Sequence, residues 1–576
     1  MPDTSGAVIA DLDAMLRRGD LFTAFDVGRK AILAGNQDRA VRYRVVLALA
    51  RSGAFRDALL EYDRLGLGQE DDTDCLSLRA RILKDIAFET VPADAAGLAM
   101  SATAYEAAFL KHGDYFPGIN AASMFVLSGD APRGHAIAAR ILEHPDVVAG
   151  ADYYAAATTG EALVVLSRWE EALAAFALAR ERLGDNFGAL STTFTQIRRL
   201  LAALTPPAAV QGDLLKLLKP PGTVHFHGGR RDVDATVEAE LAGGITRALA
   251  EEGIRFGFGV LASSGDLLLA EQLIAAGAEI NIVLPHDGDD EALDSPEFDR
   301  RKQSIIEKAA SVLRATEEQD LGDGSQLDYA DMIAMGQARM RADHICGDCV
   351  QLRLGPEGGA SEERAVAAWA RMGGRVRTLE VPTSQTTARR NAPPVSAEGR
   401  EIRALLFADF REFTKLRERQ FPEFWKLILG DIARLLGEHK AAILYRNTWG
   451  DAFFIVLVDA AAAAELAIAI QENLKAIDRV RRHNLDLRIG LHHGPVYRGW
   501  DPVREETNFY GAQVIKAARA EPIAPSGEVI VTEPLAAMLA VTANQKFSCN
   551  YVGRITFPKN YGEHRVYRLS RRTERR

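Results

Sequence analysis

Cysteine is scarce in this chain of 576 residues, with four at Cys75, Cys346, Cys349 and Cys549. Their scatter excludes a disulfide framework. Cys346-Gly347-Asp348-Cys349 has the spacing of a redox pair or half a zinc site. A tetrahedral zinc takes three or four protein ligands, and no second pair exists, so packing cysteines are the simpler reading. Long apolar runs are also missing. The most apolar stretch, 460–470, is too short to span a bilayer and contains Glu465. The N-terminus, Met1-Pro2-Asp3-Thr4, lacks a basic start followed by an apolar core, so no signal peptide is expected. These absences predict a cytoplasmic protein without a membrane span. Positive charge is in deficit, with a net charge of -10. That disfavours indiscriminate binding to nucleic acid or anionic membrane, though a local basic patch is compatible with it.

The length predicts three or four domains. A content of 47% hydrophobic and 26% charged residues is ordinary for soluble globular protein. Residues 1–205 read as helix after helix, rich in Ala, Leu, Glu and Arg and poor in β-branched residues until late. Turns such as Ser52-Gly53-Ala54 and Ser128-Gly129-Asp130 punctuate the run. Residues 43–50 with 55–62, and 153–166 with 169–179, read as helix pairs whose Trp and Tyr residues pack. The pairing resembles tetratricopeptide repeats of degenerate period. The stretch Gly113-Asp114-Tyr115-Phe116-Pro117-Gly118-Ile119-Asn120-Ala121-Ala122 resembles the regulatory, TRAFs-binding region ahead of some mitogen-activated kinase kinase kinases. That likeness implies a protein partner at the repeats. On the residues alone, Pro117 and Gly118 form a turn joining two helices.

Pro206-Pro207 and Pro220-Pro221-Gly222 bracket a linker at 206–222, with 214–218 packing as one turn. Residues 223–382 alternate strand and helix: strand 224–227, helix 235–252, strand 254–260, helix 267–276 and strand 279–285. Strands at 350–354 and 376–379 then flank a helix at 361–372. This order predicts a parallel sheet with helices on both faces. Gly228 with Arg230, and Ser263-Ser264-Gly265-Asp266, lie at strand-to-helix turns. Small residues there let a ligand approach the backbone, and a helix N-terminus receives phosphate. The plainer alternative is turn geometry. Gly257-Phe258-Gly259 has the wrong spacing for a dinucleotide fingerprint. Gly228-Gly229-Arg230, the 263–266 turn, Gly277-Ala278-Glu279-Ile280 and Val283-Leu284-Pro285 together resemble the Rossmann-like domains of the SLOG (SMF/DprA–LOG) superfamily. The resemblance implies a nucleotide-like effector at Gly228, Arg230, Ser263, Ser264, Gly265 and Asp266.

Residues 383–400, polar and proline-bearing, read as a second linker. A strand at 401–410 leads into Phe407-Ala408-Asp409-Phe410-Arg411-Glu412-Phe413-Thr414. Thr414 caps a following helix at 421–436, whose Phe424, Trp425, Ile428, Ile432 and Leu435 lie near one face. Strands at 442–445 and 453–458 flank Trp449-Gly450-Asp451, and a hairpin there brings Asp451 beside Asp409. A helix at 460–480 and a strand at 485–492 follow. Two carboxylates at the ends of neighbouring strands could hold divalent ions over a polyphosphate. Otherwise this third of the chain is a dimerising scaffold.

The Asp409 motif, Gly450-Asp451-Ala452, Leu487-Arg488-Ile489-Gly490-Leu491-His492-His493-Gly494-Pro495-Val496, and Tyr510-Gly511-Ala512-Gln513-Val514 through Arg519 occur in the order of the class III adenylate/guanylate cyclase catalytic domain. The region 401–571 resembles that family. The resemblance implies an α+β, ferredoxin-like fold and a homodimer with two equivalent sites. It also implies conversion of ATP or GTP to 3′,5′-cyclic AMP or cyclic GMP and pyrophosphate, with two Mg²⁺ or Mn²⁺ ions per site. Asp409, Asp451 and the Phe410 carbonyl match its metal ligands. Arg519 matches the arginine that meets the triphosphate from the opposite subunit. Phe410, Phe413, Thr414 and Lys559 fall at substrate positions, with Tyr561 an alternative to Lys559. Asn447 and Asn508 stand at the base-reading positions. Amides donate and accept, so neither purine is excluded. Ile515 stands where the family carries an asparagine used in the transition state; losing one such contact costs about 10²–10³ in rate. Two functions remain open, a regulated cyclase and a catalytically silent nucleotide-binding scaffold. A third, hydrolysis of an N-glycosidic bond by the central domain, lacks an obvious pair of carboxylates.

Overall fold

The computed structural model describes residues 4–229, 231–286, 295–355, 368–370, 374–381, 386–388, 399–476 and 486–572. They form two compact units. The first holds 1–221 together with 341–348, and the second holds 222–340 with 349–572. The expected helix at 361–372 and the effector residue Arg230 lie largely or wholly outside the described residues.

Aspartates start many of the helices in the first unit. Asp38, Asp72, Asp94, Asp114, Asp130 and Asp152 each accept a backbone N–H of the helix that follows. Such a cap is worth about 1 kcal/mol. The paired helices Arg39–Arg51 with Phe55–Arg64, and Tyr153–Val165 with Trp169–Glu181, match the expected pairs. Pro117 and Gly118 do not form a turn. They lie inside the helix Tyr115–Ser128, capped by Asp114. A proline in the first turn has no intrahelical bond to lose, so it starts the helix instead of breaking it. The interval between the proline pairs is the helix Ala208–Leu217 rather than a single turn.

The second unit contains two main sheets. The first has six parallel strands in the order Ser311–Arg314, Glu279–Leu284, Ile254–Gly259, Gly222–His227, Cys349–Leu354, Arg375–Leu379. One face buries Val224, Phe226, Ile280, Ile282, Leu352 and Leu354 against residues such as Leu249 and Leu269 of the helices Ala235–Glu251 and Ser264–Ala275. On the other, Val260 and Val283 pack with Tyr329, Ala330 and Ile333 of the helix Ser325–Ile345. Within the second linker, Thr386–Ala388 pairs with Arg231–Val233.

The second sheet runs Ile443–Trp449, Ala452–Leu457, Arg400–Arg411, Asp486–Asp501, Val529–Thr532, Glu563–Arg571, Phe547–Thr556, with Glu506–Tyr510 paired to the long fourth strand. Neighbours are antiparallel except Asp486–Asp501 with Val529–Thr532. The central segment is bound to this sheet by polar contacts. Arg400 grips Asp323 through Nε at 2.8 Å and Nη2 at 2.9 Å. The Tyr329 hydroxyl donates to the His493 carbonyl at 2.8 Å, and Gln337 donates to Glu533 at 3.0 Å.

Two local expectations fail. Thr414 sits within a 3₁₀ turn, Phe413–Lys415, and is not a helix cap. The helix after it is interrupted by a π turn at Phe424–Ile428. The wider turn shifts the helical face, which leaves Trp425 57% exposed while Phe424, Ile428 and Ile432 are buried.

Candidate active site

Alternation along Arg400–Arg411 sends Ala404, Leu406, Ala408 and Phe410 to one face and Leu405, Phe407 and Asp409 to the other. Leu405 and Phe407 pack with Phe454, Val456 and Ala517. Asp409 therefore shares the face that carries the helix Ala512–Ala520. The hairpin register pairs Asp409 with Ala452, so Asp451 lies in the turn beside it. The Phe410 amide donates to the Asp451 carbonyl at 3.3 Å. Phe410 itself is buried edge-on against Phe424, with ring centroids 5.1 Å apart, and anchors this strand end. Burial raises the pKa of the Asp451 carboxyl, and the Asp409 charge raises it further.

These acids fit a divalent cation. Asp409 disfavours the charge on Asp451, and a cation between them would relieve that. Oxygen donors suit Mg²⁺ or Mn²⁺. Among the described residues no group of three or more His, Cys, Asp or Glu is placed to hold a metal. A site of two carboxylates would therefore take its other oxygens from the backbone, water and phosphate, as Mg²⁺ sites commonly do.

Arg488 completes the local charge balance. It pairs with Asp409 across the strands. Its Nη2 donates to Asp409 Oδ2 at 2.6 Å, and its Nε lies 3.0 Å from Glu521 Oε1. Burial lifts the Glu521 carboxyl to about 7, with Arg488 opposing and Asp409 assisting. Local sequence around Arg488 assigns it no role; the strand register shows that it faces the acid.

The helix carrying Ile515 and Arg519 is held from below. His492 is fully buried between Thr532 Oγ1 and Gln513 Oε1, each at 2.7 Å. Burial and the Lys516 charge keep its imidazole neutral, well below the usual histidine range. Gly490 lets the helix end approach, since a Cβ there would lie 2.4 Å from the Glu521 nitrogen. Ile515 is 47% exposed. Arg519 Nε is buried without a hydrogen bond among the described residues.

Not every expected site residue gathers here. Asn447 pairs with Phe454, which pairs with Phe407, so it shares the Asp409 face. Phe413 stacks edge-on with Phe421 and Phe424 at the rim, and Thr414 is exposed. Asn508 pairs with Gly499, far along the strand from Arg488. At about 3.3 Å per residue that is roughly 35 Å away. Its amide is engaged with Asp501 at 3.0 Å. Lys559 is exposed with a φ of 64° in the turn beyond Phe547–Thr556. That hairpin is made of the third and fourth strands beyond Arg400–Arg411, roughly 15–20 Å laterally.

The expected effector turn is satisfied internally. Asp266 is 1% exposed and accepts from Gly228 N at 2.6 Å, Ala262 N at 3.0 Å and Ser263 Oγ at 3.0 Å. Ser264 N donates to Asp232 at 3.0 Å, and Ser264 Oγ accepts from Val233 N at 2.7 Å. Gly228 packs so tightly that a Cβ would lie 2.2 Å from the Asp266 nitrogen. The small residues serve the protein's own close approach. A different buried set lies nearby. His225 Nε2 is 3.0 Å from Asp331 Oδ1, and Gln351 Nε2 is 3.1 Å from His225 Nδ1. Burial opposes the Asp331 charge, yet His227 and His225 hold its pKa well below the carboxylate range.

Residues 395–571 match the family model described as the adenylate and guanylate cyclase catalytic domain. Residues 23–125 match the model described as tetratricopeptide repeats-sensor. The chain thus carries a tetratricopeptide-like helical region and a C-terminal class III cyclase domain. Solved structures similar to it include the adenylyl cyclase CyaB from P. aeruginosa, at 18% identity, covering 30% of this chain and 96% of that one, with a TM-score of 0.27. The guanylate cyclase domain of RhGC from Catenaria anguillulae in complex with GTP is 21% identical, covering 30% and 98%, with a TM-score of 0.27. The guanylyl cyclase Cya2 is 18% identical, covering 30% and 93%, with a TM-score of 0.27. Among curated proteins none matches the chain. No described helix is long and apolar enough to cross a membrane.

Proposed function

We propose that the protein is a regulated purine nucleotide cyclase, converting ATP or GTP to 3′,5′-cyclic AMP or cyclic GMP and pyrophosphate. The observation that carries this reading is the pairing of Asp409 with the Asp451 turn inside a region matching the cyclase catalytic domain. In the reaction the ribose 3′-oxygen forms a bond to the α-phosphorus as the bond to pyrophosphate breaks. Asp409, Asp451 and the Phe410 carbonyl would hold Mg²⁺ or Mn²⁺, which when bound lowers the cost of the 3′-alkoxide and of charge on the phosphates. Arg519 carries a guanidinium suited to the triphosphate, and its buried Nε has no hydrogen-bond partner among the described residues. Arg488, on Asp409, would exchange that carboxylate for phosphate oxygens as the cation arrives.

A homodimer supports this chemistry best. Asn508 lies further from Asp409 than one nucleoside triphosphate extends, so one copy cannot offer both to one molecule. Two copies related by a twofold axis would form two equivalent sites. The central sheet, resembling the SLOG domains, would act as the sensor in a cytoplasmic protein. The bonds from Tyr329 to His493 and from Asp323 to Arg400 give it a direct mechanical connection to the strands of the site. The helical repeats would take a protein partner.

Ile515 favours a second reading, a nucleotide-binding scaffold that does not turn over. Purified full-length protein with ATP or GTP and Mn²⁺, followed by mass spectrometry for cyclic product, separates the two. Cyclic product that disappears in Asp409→Ala supports the cyclase. Metal-dependent triphosphate binding without product supports the scaffold.

A further inference from the structure

The helix Ala512–Ala520 rests on its sheet through Gln513, Ala517 and Ala520, buried residues spaced about one per turn. Ala517 packs with Leu405 and Phe454, and Ala520 with Ile530 and Phe557. Val514 is partly buried beside them. The strand beneath contributes glycines. A Cβ at Gly490 would lie 2.4 Å from the Glu521 nitrogen, and one at Gly494 would lie 2.9 Å from Gln513 Cγ. Interlocking side chains normally fix how a helix sits on its neighbours. Alanines over glycines bring this helix close but give it only shallow ridges. Its roll about its own axis must be set by something else.

Polar contacts at the two ends can set it. At the first turn, Gln513 Oε1 is 2.7 Å from His492 Nε2, and His492 Nδ1 is 2.7 Å from Thr532 Oγ1. Gln513, His492 and Thr532 are 6%, 0% and 1% exposed. A carboxamide oxygen only accepts, so Nε2 carries the imidazole proton. Nδ1 is then an acceptor, and the Thr532 hydroxyl donates to it. The run is therefore directional, from Thr532 to His492 to Gln513. It ties the strands Val529–Thr532 and Asp486–Asp501 to the start of the helix. Just past the other end, Glu521 Oε1 lies 3.0 Å from Arg488 Nε, whose guanidinium also meets Asp409. A buried run of this kind is costly to leave half-satisfied.

Arg519 lies between these two ends of the helix. A roll of about 20° would carry a side-chain tip about 6 Å from the helix axis through about 2 Å. A misplacement of about 1 Å costs a reaction on the order of 10²-fold. We infer that Thr532, His492 and Gln513 form a positioning strut that sets the roll of the helix and so aims Arg519, with Gln513 required as a hydrogen-bond acceptor and not for its bulk. The three are positioning residues, acting through Arg519. The effect on rate rests on the cyclase reading. The effect on the helix rests on the geometry alone.

The test compares two variants of the full-length protein, with ATP or GTP and Mn²⁺. Gln513→Met keeps the bulk and removes the acceptor; Gln513→Glu keeps an acceptor. Gln513→Met is expected to lower kcat by about 10–10²-fold with KM within about threefold, and Gln513→Glu to hold kcat within about threefold. A role in packing gives the reverse order, because Met suits a buried position better than Glu, and that order would overturn the strut. Hydrogen exchange read by mass spectrometry is the second readout and needs no turnover. Gln513→Met should speed exchange within 512–520 and leave the strand 400–411 unchanged. Thr532→Val cuts the run at its far end and should show the same signs more weakly; it takes the place of Gln513→Met if that protein does not fold. Faster exchange at 512–520 in a protein whose wild type makes no cyclic product would remove the cyclase reading and leave the strut standing. Wild-type kcat in Gln513→Met, or unchanged exchange at 512–520, would remove the strut and leave the cyclase reading standing.

Discussion

The Asp409–Asp451 hairpin and the Ser263–Asp266 turn have similar raw materials, an acid beside small residues at a strand end. Their chemistry is opposite. Asp266 receives three hydrogen bonds from its own neighbourhood and is buried. Asp409 meets Arg488, and Asp451 carries a charge that Asp409 makes harder to keep. A turn whose polar groups are spent on each other is a structural joint. A turn that leaves like charges facing each other suits the cation of the proposed function.

The largest expected effect breaks that contrast at the hairpin. Asp409→Ala or Asp451→Ala should reduce cyclic nucleotide formation by at least about 10³-fold in a steady-state assay. A loss of less than tenfold would place the ions elsewhere. Ile515→Asn should move the rate the other way, by up to about 10²-fold, if position 515 faces the triphosphate. An unchanged kcat would assign Ile515 to packing between copies. At the other turn, Asp266→Ala should leave the nucleotide KM alone but cost about 2–4 kcal/mol in denaturant unfolding, because Gly228 N, Ala262 N and Ser263 Oγ lose their acceptor. A change in KM without a change in stability would return the turn to the list of ligand sites.

The smallest effect concerns pH. The folded protein raises the Asp451 pKa, so this group adds stability only below the ordinary carboxylate value and loses it as pH rises through the raised one. At neutral pH without metal, Asp451→Asn should therefore be at least as stable as the wild type, while inactive. Chemical unfolding in EDTA at pH 7 checks this, and a clear destabilisation would mean that Asp451 has a structural partner.

Much of this architecture was legible in the sequence because apolar runs and turn residues mark strands and caps. The strands at 222–227, 254–259, 279–284 and 349–354 lie within a residue or two of expectation. The hairpin logic also placed Asp451 beside Asp409. What escaped was set by long-range contacts or by weak local pattern. Ser311–Arg314 is a largely exposed edge strand and lacks the apolar run that marks the others. His225 and Asp331 meet across 106 positions, which no spacing rule reveals. Trp425 was expected inside, but a π turn shifted the helix face. The Ser263–Asp266 turn was ambiguous for a different reason. Glycine and serine at a helix start favour phosphate and self-capping equally, and only the hydrogen bonds distinguish them.

The central claim is that Asp409 and Asp451 form half of a site that a second copy completes with Arg519. Mixing Asp409→Ala protein with Arg519→Ala protein tests it most directly. Each variant alone should make no cyclic nucleotide, and the mixture, after subunit exchange, should recover a fraction of wild-type activity because one of its two sites is intact. A mixture as silent as its components, under conditions where wild-type subunits demonstrably exchange, would contradict the shared site and place both residues on one chain.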